Sequence, residues 1–158
     1  GAGFMVGSPY QTVQNIAEDL VYLKELNPHM VGIGPFISHG QTPFANMKNG
    51  TLEDTLLLLS LIRIMLPDVL LPATTALGTI NPIGRELGIK AGANVLMPNL
   101  SPITVRKNYE IYDNKICTGE EAAECVECLK KRVLATGNCI VIDRGDSRRD
   151  SKRDSRKD

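Results

Sequence analysis

Residues 30–34 read Met30-Val31-Gly32-Ile33-Gly34, and this short run decides how the rest of the chain is read. It is apolar throughout and shows none of the period-two polarity of a half-solvated strand. That predicts a parallel strand covered on both faces. Three more runs share this character: Phe4-Met5-Val6 before it, Val69-Leu70-Leu71-Pro72-Ala73 and Ala93-Asn94-Val95-Leu96-Met97 after it. Helical patterns fill the intervals. Thr12 is a candidate N-cap for a helix to about Leu26, with Val13, Ile16, Leu20 and Leu23 as its apolar stripe and Asn27-Pro28 as its stop. Thr51-Leu52-Glu53-Asp54 reads as a capping box opening a helix to about Leu66, with Glu53, Ser60 and Arg63 on one outer face. A shorter helix fits Ile83 to Ala91.

Strands separated by helices predict β/α units. Four units are half of a (β/α)8 barrel, which needs about 250 residues. The α/β fold expected is therefore a TIM-type half barrel, with two open sheet edges and one open sheet face. A doubly wound sheet competes, but no Gly-x-Gly-x-x-Gly turn follows a strand, and Gly1-Ala2-Gly3 precedes its strand.

The boundaries expected are 1–114 for the half barrel, 115–142 for a cysteine-containing C-terminal region and 143–158 for a disordered tail. That tail carries twelve charged residues in sixteen, seven basic and five acidic, and nothing it could bury. Its Arg-Asp-Ser repeats read as solvated rather than RNA-binding, and Arg144-Gly145-Asp146 as chance.

The 158 residues carry zero formal net charge, so bulk electrostatics argues against a nucleic-acid partner. No apolar run reaches the roughly 18 residues of a membrane span, and no signal peptide is visible. The chain opens on Gly-Ala-Gly-Phe, which reads as a fragment. Three of its four cysteines, Cys117, Cys125 and Cys128, fall within twelve residues, with Cys139 following. The expected setting is a reducing one, the cytoplasm or its counterpart in an anaerobe, with a metal or cluster site rather than disulfides. Three thiolates suit an iron–sulfur cluster with one iron left open. Zinc would recruit Cys139 as a fourth ligand, and unligated thiols are the plainer alternative.

Barrel chemistry gathers in the loops after the strands. Here those are Gly7 to Thr12, Gly34 to Pro43, Thr74 to Thr79 with Gly84-Arg85-Glu86, and Met97 to Pro102. They are rich in glycine, proline and hydroxyls and poor in acid–base pairs, which suits holding a reactive cofactor. Thr74, Thr75 and Arg85 together could bind a carboxylate or phosphate; a strand end and a surface ion pair are the plainer alternative. His39 is a lone loop histidine, more ordinarily neither ligand nor base. His29 precedes its strand, at the structural end of a barrel. Met5 and Met97 more ordinarily fill core.

Several segments resemble one family. They are Gly3-Phe4-Met5-Val6-Gly7, Met30 to Ile37, Pro72-Ala73-Thr74-Thr75-Ala76-Leu77-Gly78-Thr79-Ile80 and Gly92 to Asn99, then Tyr109-x-x-Tyr112 and Lys115-Ile116-Cys117. Collinear over about residues 1–142, they are similar to the [FeFe]-hydrogenase maturases of the HydE type, in the radical S-adenosyl-L-methionine (SAM) superfamily. Biotin synthase and methylornithine synthase share that architecture and are the alternative, as is a non-catalytic iron–sulfur module.

The resemblance implies strands five to eight of a radical SAM barrel with a biotin/thiamin-synthase-type C-terminal region. It implies SAM and a [4Fe–4S] cluster as cofactors, a 5′-deoxyadenosyl radical, and a small-molecule precursor of the hydrogenase H-cluster as substrate. The partners implied are other hydrogenase maturases and the N-terminal half barrel. Met5 would lie beside adenosine, and Thr74, Thr75 and Met97 at the substrate end. Tyr109, Ile111 and Tyr112 would close the top. Cys117, Cys125 and Cys128 would hold an auxiliary cluster. The Cys-x3-Cys-x2-Cys motif of the SAM cluster is absent. No catalytic residue is therefore expected in this half, and the chain alone should be inactive.

Overall fold

The computed structural model describes all residues except 99–101, 107, 109–110, 117–125, 143–144 and 148–158. Its elements run β1 (Ala2–Val6), α1 (Val13–Leu26), β2 (Val31–Pro35), α2 (Leu52–Met65), β3 (Pro72–Ala73), α3 (Thr75–Ile80), α4 (Gly84–Lys90), β4 (Val95–Leu96), α5 (Ile103–Arg106) and α6 (Val126–Leu134).

β1 pairs in parallel with β2, from Ala2 against Val31 to Val6 against Pro35. β3 pairs in parallel with β4, Pro72 against Val95 and Ala73 against Leu96. A parallel bridge between Met30 and Leu70 joins the two pairs, with Val31 N–H donating to the Leu70 carbonyl and Leu70 N–H to that of His29. The order in space is the order in sequence. A doubly wound sheet reverses direction part-way across; here each strand simply lies beside the last, as in one sector of a barrel. The described residues form no closed barrel.

Burial separates the two faces of the sheet. Val6, Val31, Ile33, Leu71 and Ala73 are buried and pack with Leu58, Leu59 and Ile62 of α2, Leu77 of α3 and Leu23 of α1. Burying each such side chain contributes about 1.5–3 kcal/mol. The opposite face is largely open, as expected of half a barrel: there Gly3 and Met5 are exposed and Gly32 and Gly34 half-buried, while Pro72 is buried.

The capping detail also differs from the sequence reading. The reciprocal box belongs to α1: Asn15 N–H donates to Thr12 Oγ1 at 3.2 Å, and Thr12 N–H to Asn15 Oδ1 at 3.0 Å. At α2, Thr51 accepts from Asp54 N–H and its hydroxyl donates to the Asp54 carboxylate at 2.6 Å. Ile16, Leu20 and Leu23 of α1 face the core, but Val13, in the first turn, is 83% exposed.

Arg63 is the larger correction. It does not share a solvated face with Glu53; its guanidinium donates to the carbonyls of Gly92 at 2.8 Å, Pro67 at 2.8 Å and Val69 at 2.9 Å. Beside it, Ser60 Oγ donates to the Ala91 carbonyl at 3.1 Å. The turn leading into β4 comes down on this side of α2, and its carbonyls need donors. At the C-terminal side, α6 is tied to α4 by an ion pair between Arg132 and Glu86, and Arg132 also donates to the Pro82 carbonyl. Of the expected tail, residues 145–147 are described. Ser147 is buried there, its hydroxyl donating to the Asp68 carbonyl.

Candidate functional site

The alternation that turns Ile33 and Ala73 toward the helices turns their neighbours to the other face. Register then aligns those neighbours across strands. Met5 pairs with Gly34. A Cβ added at Gly34 would lie 2.7 Å from Thr74 Oγ1, so Thr74 sits directly over that glycine. Ala73 pairs with Leu96, which sets Thr74 and Met97 as the next residues in register. Met5, Gly34, Thr74 and Met97 thus form one row across the C-terminal ends of the four strands, on the face without helices.

The row is open. Met5 is 58% and Met97 53% exposed, so neither is buried in this half. Barrel interiors are ordinarily packed by layers of branched side chains; on β1 and β2 this face offers instead Gly3, Gly32 and Gly34, and a Cβ at Gly32 would meet nothing within 4 Å. Thr74 Oγ1 is buried yet makes no hydrogen bond among the described residues, although Thr74 is the N-cap of α3. An unmatched buried hydroxyl costs about 1–3 kcal/mol. It is the one polar group in the row with bonding capacity to spare for a ligand.

Thr75 starts α3 and its carbonyl accepts from Thr79 Oγ1. Arg85 lies against Gly78 of α3, its Nε 3.3 Å from where a Cβ would stand. It makes no hydrogen bond to Thr74 or Thr75 among the described residues. Glu86, next to it, is held below the ordinary carboxylate range: burial pushes it up, but hydrogen bonds from Arg132 and the charges of Arg132 and Arg85 outweigh that. His39 accepts the Gln41 N–H on Nδ1 within its own turn, and His29 is exposed at the opposite end of the sheet.

Of the residues expected to close the top, Ile111 is exposed and Tyr112 half-buried, while Tyr109 lies outside the described residues. Two contacts here were not anticipated from sequence. Gly40 N–H donates to the Asp113 carboxylate at 3.0 Å, and Asp113 N–H to the Ser38 carbonyl at 3.1 Å. They bind the loop after β2 to the segment at 111–114, and a separation of 73 residues left no local signal for them.

Among the expected cluster ligands only Cys128 is described; Cys117 and Cys125 lie outside the described residues. Cys128 sits on α6, is exposed and is disulfide-bonded, whereas Cys139 is an exposed free thiol. No group of three metal-binding side chains occurs among the described residues. No described helix is long and apolar enough to cross a membrane.

No protein-family profile matches the chain. It is similar to the [FeFe] hydrogenase maturase subunit HydE of Thermotoga maritima, 48% identical over 149 residues. The match takes in 94% of this chain but 43% of that protein, so the chain spans less than half the length of the curated relative it matches.

Proposed function

Given that the chain belongs to the HydE family, we propose that it supplies strands five to eight of a radical SAM maturase barrel serving [FeFe]-hydrogenase assembly. The observation that carries this reading is the row Met5–Gly34–Thr74–Met97: a glycine-floored, open face with one buried hydroxyl that has no partner among the described residues.

SAM and a small precursor fit such a face, because the missing Cβ of Gly32 leaves open space and the thioethers are apolar and adaptable. The reducing [4Fe–4S] cluster does not fit this chain, which has no Cys-x3-Cys-x2-Cys set; its ligands belong to the other part of the barrel, and the chain alone is inactive. When bound, SAM and that cluster supply a carbon-centred radical. The residues here bind and orient. Met5 lies beside the adenosine, and Thr74 donates or accepts one hydrogen bond at the substrate end, beside Thr75 and Met97. Tyr109, Ile111 and Tyr112 keep water from the mouth. With the Cys128 disulfide reduced, Cys117, Cys125 and Cys128 supply three thiolates for an auxiliary iron–sulfur cluster. The substrate is a small-molecule precursor of the H-cluster, handed between this protein and the other maturases.

The test is a chimera in which residues 1–142 replace the matching segment of the Thermotoga maritima protein. It should form 5′-deoxyadenosine from SAM under reducing conditions, while the 158-residue chain alone should form none. Failure of a folded, cluster-loaded chimera to cleave SAM would overturn the reading. Anaerobic reconstitution of the chain itself should give broad iron–sulfur absorption that Cys125→Ser abolishes and Cys139→Ser retains. Dependence on Cys139 together with bound zinc would replace the cluster by a four-cysteine structural site.

A further inference from the structure

Above the row, one short segment bridges two strand loops. Asp113 is tied to Ser38 and Gly40, which follow β2, by the two hydrogen bonds given above. Three residues on, Ile116 N–H donates to Thr79 Oγ1 at 3.3 Å, in α3, which follows β3. The Ile116 side chain is seated on Gly78, where a Cβ would come within 2.6 Å of its Cδ1. A three-residue stretch reaches about 10 Å when extended, enough to step across neighbouring strands about 4.8 Å apart. Asn114, between the anchors, is left-handed with φ 57°, a conformation asparagine tolerates, and so turns the chain between its two attachments.

We propose that this clasp is a positioning device, with Asp113 its key residue: it fixes residues 111–116 across the C-terminal ends of β2 and β3 and so holds Ile111 and Tyr112 at the mouth of the row. The inference rests on the ligand-binding reading of that row. Ile111 is 72% exposed, so its own packing does not hold the segment there. Asp113 does so from one end and Ile116 from the other. The carboxylate is the stronger anchor, because a charged acceptor shortens and strengthens an N–H···O bond. Its partner is a backbone amide, so the contact needs no particular side chain at position 40. A Cβ added at Gly40 would stand 3.6 Å from Asp113 Oδ2, an ordinary van der Waals contact, so the carboxylate is packed closely against this turn.

Two measurements on the 158-residue chain test this. Amide exchange reads the clasp: Asp113→Ala should speed exchange at Gly40 about tenfold while leaving the α2 amides unchanged, and Asp113→Asn, which keeps an acceptor oxygen, should restore most of the protection. Unchanged exchange at Gly40 in Asp113→Ala would refute the clasp. The positioning role is read from the methionine methyl resonances, with SAM as the probe. Met5 and Met97 should shift on titration, and Asp113→Ala should need about fivefold more SAM for half the shift, because the mouth is no longer pre-formed. Equal midpoints in both proteins would sink the positioning role while the row stands as a binding face. No methionine shift in either protein would remove the row itself, and the proposal with it.

Discussion

Replacing Arg63 with methionine would keep the aliphatic stem against Gly92 and remove only the guanidinium. A Cβ at Gly92 would lie 2.7 Å from Arg63 Cβ, so stem and turn are in close contact and a methionine thioether can follow the same path. What is lost is four donations to backbone carbonyls: three short ones to Gly92, Val69 and Pro67, and a long one of 3.5 Å to Leu66. Hydrogen bonds from a charged group contribute about 1.5–3 kcal/mol when shielded. Those to Gly92 and Val69 are partly buried, and the one to Pro67 is exposed and counts for little. The cost should be about 3 kcal/mol, a large share of the stability of any domain. Arg63→Lys should recover less than half of it, since one ammonium cannot span three carbonyls in the fork of a guanidinium. The assay is urea unfolding followed by far-ultraviolet circular dichroism, comparing midpoints at unchanged slope. A loss below about 1 kcal/mol for Arg63→Met, or full rescue by lysine, would refute the claim that this side chain joins α2 to the turns before β3 and β4.

Thr12→Ala breaks the reciprocal cap of α1 and should cost about 1 kcal/mol in the same assay, with the loss confined to α1 by amide exchange. Gly32→Ala places a methyl in open space and should change stability by less than about 0.5 kcal/mol, whereas Gly34→Ala drives into Thr74 and should cost about 1–2 kcal/mol. Thr74→Ala should largely relieve the second penalty in a double-mutant cycle. The Glu86 carboxyl titrates below its ordinary value of 4.5 in the folded chain, so its contribution is present above that pH and is lost as pH falls through the folded value. The gap in thermal midpoint between the wild type and Glu86→Gln should therefore be constant from pH 7 to about 5 and close only as pH falls through the lowered folded value. A gap that widened on acidification would reverse the sign of the argument.

The strands and long helices were legible because each leaves a local trace: an unbroken apolar run, a threonine cap, a proline stop. α3 was not. Thr75–Ile80 is six residues long, less than two turns, and its Thr-Ala-Leu-Gly-Thr reads as loop beside the strand it follows. The wheel position of Arg63 was legible but its partners were not, since the Ala91–Gly92 turn reaches it only through tertiary packing. At the site, alternation marks Met5, Thr74 and Met97 as sharing a face with the glycines. Their alignment in a single row depends on register between strands tens of residues apart. The Asp113 clasp left no trace, because an aspartate beside Asn114 looks like any turn.

Because each β/α unit lies beside only its sequence neighbours, the molecule is organised along one dimension, as stacked-repeat proteins are. Coupling in such an array is between adjacent units, so cooperativity decays along the stack instead of spanning it. Units in the middle, β2 with α2 and β3, are braced from both sides. β1 with α1 is braced from one. Native-state opening should therefore spread inward from the ends, with the slowest-exchanging amides at Val31, Ile33 and Leu71, and adding a neighbouring unit at an end should raise the stability of that end far more than of the centre.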